Sequence, residues 1–411
     1  MPDPKNISRH AIYFVVITVA MESVGFGIIL PVMPQLIDSL TGDGIGQAAL
    51  YGGWLLFSYA VMQFLFAPVM GNIGDRFGRR PVLLISMFVL GVDYLIMAMA
   101  PNLFWLFVGR IMAGIAGSSY SVANAYVADI SNDSNRAQNF GLIGAAFGAG
   151  FVIGPAIGGF LGEYGPRAPF YTAAILSFLN AIYGYSVLKE SLSSEHRRSF
   201  QWQRANPFGA FIHLRQNKIV LAMASVIFIY GLGHQSLPSV WSYYTTQQFS
   251  WSESQIGFSL TFAGVMMIVV QAFLIRLLMP ILGNFRAGII GMIAMTAGFA
   301  GYAFATQGWH LYLSIAVASL SGLIMPSLQS IMTTNTQANS QGELQGSVAA
   351  IMSLTAIFGP LFMTWLFREF SLPDAKIYFP GAAFFAAALL QLAALAVFII
   401  VTLKTQLVSN K

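Results

Sequence analysis

Long apolar runs and short polar connectors alternate from one end of the chain to the other. Twelve runs reach the roughly 20 residues a helix needs to cross a hydrocarbon core. They fall approximately at 11–33, 49–70, 81–100, 103–129, 139–162, 168–187, 219–247, 255–279, 284–305, 308–331, 344–368 and 376–403. Their interiors are rich in Gly, Leu, Ile and Phe and lack the period-two alternation of barrel strands, so the pattern predicts an all-α multi-pass membrane protein. The first run is of full spanning length and passes into Pro31 and Pro34 without a small-residue cleavage site, which predicts a retained span rather than a signal peptide.

The longest polar stretch, 188–218, has six runs on either side. It divides the chain into an N-terminal six-helix bundle (1–187), a linker (188–218) and a C-terminal six-helix bundle (219–411). Gly78 and Gly283, Gly141 and Gly346, Gly154 and Gly359, and Pro155 and Pro360 are each 205 residues apart, at equivalent places in the span order. A duplicated six-helix unit explains that register. Such repeats place a substrate site near the bilayer midplane, between two rocking halves.

Charge fixes the orientation. Charged residues make up 9% of the chain and hydrophobic ones 56%, against roughly 25% charged in a soluble domain. Of the 20 Lys and Arg, sixteen fall on the face that carries both termini and three on the other. The positive-inside rule then puts both termini in the cytoplasm of a cell with an inner membrane. It also accounts for the net charge of +5 without a nucleic-acid partner. The absence of cysteine excludes disulfides and thiolate metal sites. None of the six lysines follows a glycine, so an ATP-driven pump lacks its phosphate loop. Five scattered histidines form no constellation for an enzyme or a metal site. No catalytic residue, metal or cofactor is expected; a proton gradient is the expected energy source, and a monomer in the bilayer the expected form.

One connector concentrates charge. "GNIGDRFGRRP" (71–81) follows span 2, and Gly71, Asp75, Arg76, Gly78, Arg79 and Arg80 match G-x-x-x-D-R-x-G-R-[RK]. Gly150, Gly154, Pro155, Gly158 and Gly159 in span 5 match G-x-x-x-G-P-x-x-G-G, and Arg110 and Gly114 match R-x-x-x-G. In these motifs the chain resembles the major facilitator superfamily, specifically its 12-span drug/proton antiporter branch. "DRFGRRPVLL", "DYL" at 93–95 and "GFSL" at 257–260 look most like the tetracycline/proton antiporters. The resemblance implies two pseudo-symmetric six-helix bundles and proton-coupled export. Physically, Asp75 is expected near a helix start, where an anion is favoured, with the arginines pairing to it and to Asp129 as a latch that opens during transport. Gly150, Gly154 and Gly158 share a helix face and allow close approach of a neighbour, while Pro155 permits a bend.

Three charges lie inside spans. By a rise of about 1.5 Å per residue, Glu22, Asp93 and Arg110 reach one depth. Their register partners Ile227, Gly298 and Ile315 are uncharged, which assigns ion handling to the first half. An unpaired charge there costs at least ~2.5–3.5 kcal/mol, so these groups face a cavity or each other. Burial and a neighbouring cation act oppositely on a carboxyl group's proton affinity, so alternating access can load and unload a proton. Glu22 is the expected main protonation site, Asp93 the second, and Arg110 the tuning cation; a static pair that fixes helix register is the alternative.

Candidate cargo contacts are Tyr59 and Gln63 on span 2, and a stripe on span 4 through Gly114, Gly117, Ser121 and Asn124. The second half offers His234, Gln235, Met267, Gln271, Met295 and Gln329. Where tetracycline exporters carry a membrane-embedded histidine in span 8 and an aspartate in span 9, this chain has Met267 and Met295. Their span-1 aspartate appears as Glu22, and Pro280 replaces the acid in the second copy of the loop motif. The expected cargo is an amphipathic, drug-like small molecule; a dedicated metabolite or siderophore transporter, not necessarily an exporter, is the alternative. A receptor of the same fold would tolerate neutral replacement of Glu22, Asp93 and Arg110, which transport would not.

Overall fold

A computed structural model describes residues 4–132, 135–201, 218–337 and 340–409. Among these, regular structure is helical, with no strand. Eleven helices are long and apolar enough to span a membrane: Ile12–Ile29, Gly44–Phe77, Arg79–Met99, Leu103–Ile130, Gln138–Gly162, Ala168–Val187, Ile219–Phe249, Glu253–Ala303, Gly308–Thr334, Gln341–Ser371 and Ala382–Leu403. The 51-residue helix Glu253–Ala303 contains one residue with non-helical angles, Gly283 at φ 68° and ψ 166°. That residue divides it into two spans, so the twelve expected spans are present.

The duplicated register survives in three dimensions. Gly78, 205 residues before Gly283, breaks the chain in the same way at φ 104° and ψ 160°. Only glycine adopts such angles without strain, and one residue suffices to turn span 2 into span 3. Span 4 is interrupted at Ser118–Ser119 and span 10 by a 3-10 turn at Ser319–Leu323. Span 1 ends at Ile29 before the short helix Met33–Thr41, and span 7 is interrupted at Gln235 before Ser236–Phe249.

Packing divides the described residues into two compact units. The first takes 4–42, 58–132, 135–201 and Ser252–Thr261; the second takes Asp43–Phe57, 218–251, 262–337 and 340–409. In the first unit, the start of span 8 rests on the Pro155 turn, with Gly257 against the Pro155 carbonyl and Gly159. In the second, the start of span 2 rests on the Pro360 turn, with Gly53 against Thr364 and the Pro360 carbonyl. Large apolar side chains such as Phe88, Phe104, Ile182 and Phe273 remain on the surface, as a lipid-facing exterior requires.

One expectation needs correction. Span 2 does not end before the charged motif: its helix runs unbroken through Phe77. Asp75 therefore lies in the last turn of a helix, not near the start of one, because Gly78 alone provides the break. Within the expected linker, 188–201 is a strap held against the first unit. Leu188 inserts into the core with Phe14, Val82, Leu83 and Tyr126, and the Tyr126 hydroxyl donates to the Lys189 carbonyl at 2.8 Å. Further along, the Arg198 N–H donates to the Asp75 carbonyl (3.0 Å) and the Asn72 amide to the Gln201 carbonyl (3.1 Å). Helix-end carbonyls lack intrahelical partners, and this strap supplies one. The remainder of the expected linker, 202–217, lies outside the described residues.

Candidate functional site

The three membrane charges assemble in the first unit, unequally paired. Arg110 Nη2 meets Asp93 Oδ2 at 2.7 Å, with both side chains buried. The same nitrogen contacts the Met97 sulfur at 2.8 Å, one turn beyond Asp93. The guanidinium lies 5.9 Å from the centre of the Tyr59 ring. Asp93 Oδ1 rests against Gly109 with no hydrogen-bond partner, and Arg110 Nε has none either. A single hydrogen bond thus joins a pair that could form two.

Glu22 is half-buried and has no ion-pair partner among the described residues. It lies within electrostatic reach of Tyr59, as do Asp93 and Arg110. The Ser119 hydroxyl sits beside its carboxyl group, outside strict hydrogen-bond geometry. Tyr94, next in sequence to Asp93, packs its hydroxyl end against Gly25, three residues from Glu22. Ser119, Tyr94 and Met97 are not among the expected site residues. Their signals were available: Ser119 marks the interruption of span 4, and Tyr94 and Met97 lie one and four positions beyond Asp93.

The glycine motif explains how span 1 is held. A side chain at Gly150 would meet Ser23 Cβ at 2.7 Å and the Val24 nitrogen at 3.0 Å. At Gly154 it would meet the Val24 carbonyl oxygen at 2.7 Å and Gly27 Cα at 3.0 Å, and at Gly158 the backbone of Ile28. All three lie on span 5 against span 1, the helix that carries Glu22, while Gly159 faces Glu253 and Gly257. The Ser23 hydroxyl donates across the crossing to the Phe147 carbonyl at 2.7 Å. Gly154→Leu is expected to force the two backbones apart; overpacking of this kind costs about 1–3 kcal/mol or more. Thermal unfolding of the purified variant checks this, and a wild-type midpoint would show that the crossing does not need glycine.

In the span-4 stripe the two glycines pack against span 2. Gly114 accepts the Tyr59 backbone and Met62 against its face, and Gly117 lies against the Tyr59 hydroxyl and Gln63. Gln63 donates to the Tyr59 hydroxyl at 3.2 Å, and the Ser121 hydroxyl donates to the Ala67 carbonyl at 3.4 Å. Gly114 and Gly117 therefore serve helix packing against span 2, because small residues let backbones approach as readily as they line a cavity. Asn124 is half-buried.

In the second unit, His234 ends a helix with its ring 5.7 Å from that of Tyr230, and Gln235 packs on Gly359. Met267 lies against Gly322, and Gln271 is exposed within a π-helical turn, Val270–Leu274. Gln329 is half-buried. Met295 is 1% exposed and belongs to the core, so it cannot offer a soft wall to cargo in this state. The register partners of the charged trio are plain packing: Ile227 and Ile315 are buried and Gly298 abuts Ala318.

At the charged motif, Arg79 bridges Asp75 at 2.6 Å and Asp129 at 3.4 Å. Arg76 stacks on Phe77, its ring centre 5.0 Å away, and Arg80 donates to the Tyr185 carbonyl at 2.8 Å. Gly71 has open space beside it. The helix N-terminus created by Gly78 is satisfied by Glu190, a residue not anticipated. Its carboxylate accepts from the N–H groups of Arg79 (2.8 Å), Arg80 (3.3 Å), Ser191 (3.1 Å) and Leu192 (3.1 Å). An anion at a helix N-terminus satisfies orphan donors and complements the dipole. Glu190→Ala is expected to cost about 1–2 kcal/mol, read as a fall of a few degrees in the thermal midpoint. No fall would mean that water replaces the carboxylate without loss.

The family model described as Major Facilitator Superfamily matches residues 15–348 and 223–410. The chain is 41% identical to the class C tetracycline resistance protein of Escherichia coli, over 88% of this chain and 90% of that one. It is 34% identical to the class B protein of Escherichia coli, over 90% and 92%. Among solved structures, the nucleoside transporter NupG superposes with a TM-score of 0.77 at 13% identity, covering 96% of this chain and 99% of that one. The human organic anion transporter MFSD10 gives 0.68 at 22% identity, covering 97% and 100%. With its twelve spans, its repeat and its motifs in place, the chain belongs to the major facilitator superfamily.

Proposed function

We propose that this chain is a proton-driven exporter of an amphipathic, drug-like small molecule across the inner membrane, with both termini in the cytoplasm. One observation carries the reading: two carboxylates and one guanidinium share a region of the first unit, and the guanidinium is committed to only one of them. Glu22 is then the acid free to exchange a proton as water access alternates. Asp93 and Arg110 hold the compensated pair beside it, able to exchange partners because Asp93 Oδ1 and Arg110 Nε are unused. The close approach of Gly150, Gly154 and Gly158 on span 5 to the backbone of span 1 keeps Glu22 at a fixed height. The proton gradient supplies the energy and no cofactor takes part. Tyr59 and Gln63 are the polar groups of the first unit assigned to cargo.

The kinship with tetracycline resistance proteins makes tetracycline the first probe. Everted vesicles bearing the chain are expected to accumulate it when the interior is acidified, with dissipation of the gradient abolishing uptake. Uptake of tetracycline that ignores the gradient would overturn proton coupling. Absence of any uptake, repeated across a panel of amphipathic drugs, would overturn the cargo class.

A further inference from the structure

We propose that the cleft beside Gly78 binds the anionic headgroup of a phospholipid from the leaflet on the basic face of the protein. The cleft has a volume of about 500 Å³ and lies between the start of span 3, the end of span 6 and the strap that follows it. Two guanidiniums line it, Arg80 and Arg197, together with one carboxylate, Glu190. That one carboxylate offsets only one of the two positive charges, and its oxygens are held by four backbone N–H groups, so the cleft keeps a net positive charge. Neither arginine forms an ion pair among the described residues; Arg80 has a carbonyl acceptor at Tyr185 and the Tyr185 ring 5.5 Å below it. The Nε donor of Arg80 is buried without an acceptor.

The other wall explains why the anion is a lipid. Phe77, Ile85 and Tyr185 line the same cleft and are 55%, 61% and 73% exposed. Phe77 and Ile85 belong to spanning helices, so their apolar faces lie where acyl chains begin. A soluble anion would leave that surface wet; a phospholipid covers it with its chains while its phosphate meets the arginines. Basic residues at a membrane surface attract anionic lipid by about 1 kcal/mol each. Two of them are therefore expected to favour an anionic headgroup over a zwitterionic one by about tenfold or more.

The test uses the full chain in detergent, titrated with phosphatidylglycerol or phosphatidylcholine and read by native mass spectrometry. Preferential retention of one phosphatidylglycerol, lowered about tenfold in Arg80→Gln/Arg197→Gln and lowered in part by Arg197→Gln alone, is the expected result. Arg197 is exposed and, among the described residues, only its backbone N–H is hydrogen-bonded, to the Ser194 carbonyl, so its single variant tests the site without risk to folding. Arg286→Gln, on the same basic face but outside the cleft, is expected to change nothing. Equal retention of the two lipids, or equal retention by the wild type and both cleft variants, overturns the proposal. So does displacement of the lipid by millimolar glycerol phosphate, which would mark a site for soluble anions.

Discussion

In everted vesicles, Glu22→Gln is expected to abolish uptake driven by a proton gradient while leaving the protein folded and inserted. The substitution is nearly isosteric, and Glu22 has no ion-pair partner to lose among the described residues. No counter-charge is stranded, so the thermal midpoint should barely move. The proton, however, loses the acid that can carry it. Exchange of labelled for unlabelled cargo without a gradient is expected to persist, because that half-cycle needs binding and reorientation but no net proton movement. The two assays together separate coupling from binding. Gradient-driven uptake at the wild-type rate would remove Glu22 from the mechanism and leave Asp93 as the acid to consider. Loss of both uptake and exchange would mean that Glu22 holds cargo, not only a proton.

This prediction rests on a distinction the residue pattern could not make. Depth along a helix put Glu22, Asp93 and Arg110 at one level, but rise per residue says nothing about which side of each helix faces which neighbour. The choice of Asp93 as the partner of Arg110 follows from the packing of span 3 against span 4, where Gly109 admits the carboxylate and Met97 backs the guanidinium. The glycine stripe of span 5 was legible because spacing alone puts Gly150, Gly154 and Gly158 on one face; only the structure shows that span 1 occupies it. The span-4 stripe shows the opposite case. Small residues at helical spacing serve a cavity wall and a tight crossing equally well, and Gly114 and Gly117 turn out to serve the crossing.

The charged motif divides in the same way. Gly78 and Gly283 were paired by register, and both adopt the positive φ that makes the pairing physical. The partner of the new helix start could not be read. Glu190 stands more than a hundred residues away, in a stretch whose polar composition marks it as outside the membrane without saying what it touches. An acid within "GNIGDRFGRRP" was the natural candidate, yet the unbroken helix through Phe77 puts Asp75 on the wrong side of the break. Asp75 instead neutralises Arg79, four residues on, and that arginine ties the end of span 2 to Asp129 on span 4.

Asp93→Asn is expected to destabilise the protein by about 3–5 kcal/mol, since it strands the Arg110 guanidinium in the membrane interior without its counter-charge. Arg110→Gln strands the carboxylate and should cost a similar amount. The informative variant is the double one. Asp93→Asn/Arg110→Gln removes both charges and leaves two neutral polar groups with no uncompensated charge, so most of the lost stability should return. The recovered stability gives the coupling between the two sites, as in any double-mutant cycle. Transport by that restored protein then decides between a static and a working pair. A register-fixing pair needs only to be satisfied, and the neutral version satisfies it, so gradient-driven uptake would return along with the fold. A pair that exchanges partners with Glu22 needs the positive charge itself, and uptake would stay absent in a protein of normal stability. The single hydrogen bond between them, with Asp93 Oδ1 and Arg110 Nε unused, favours the second outcome. A pair built only for stability would have closed both bonds.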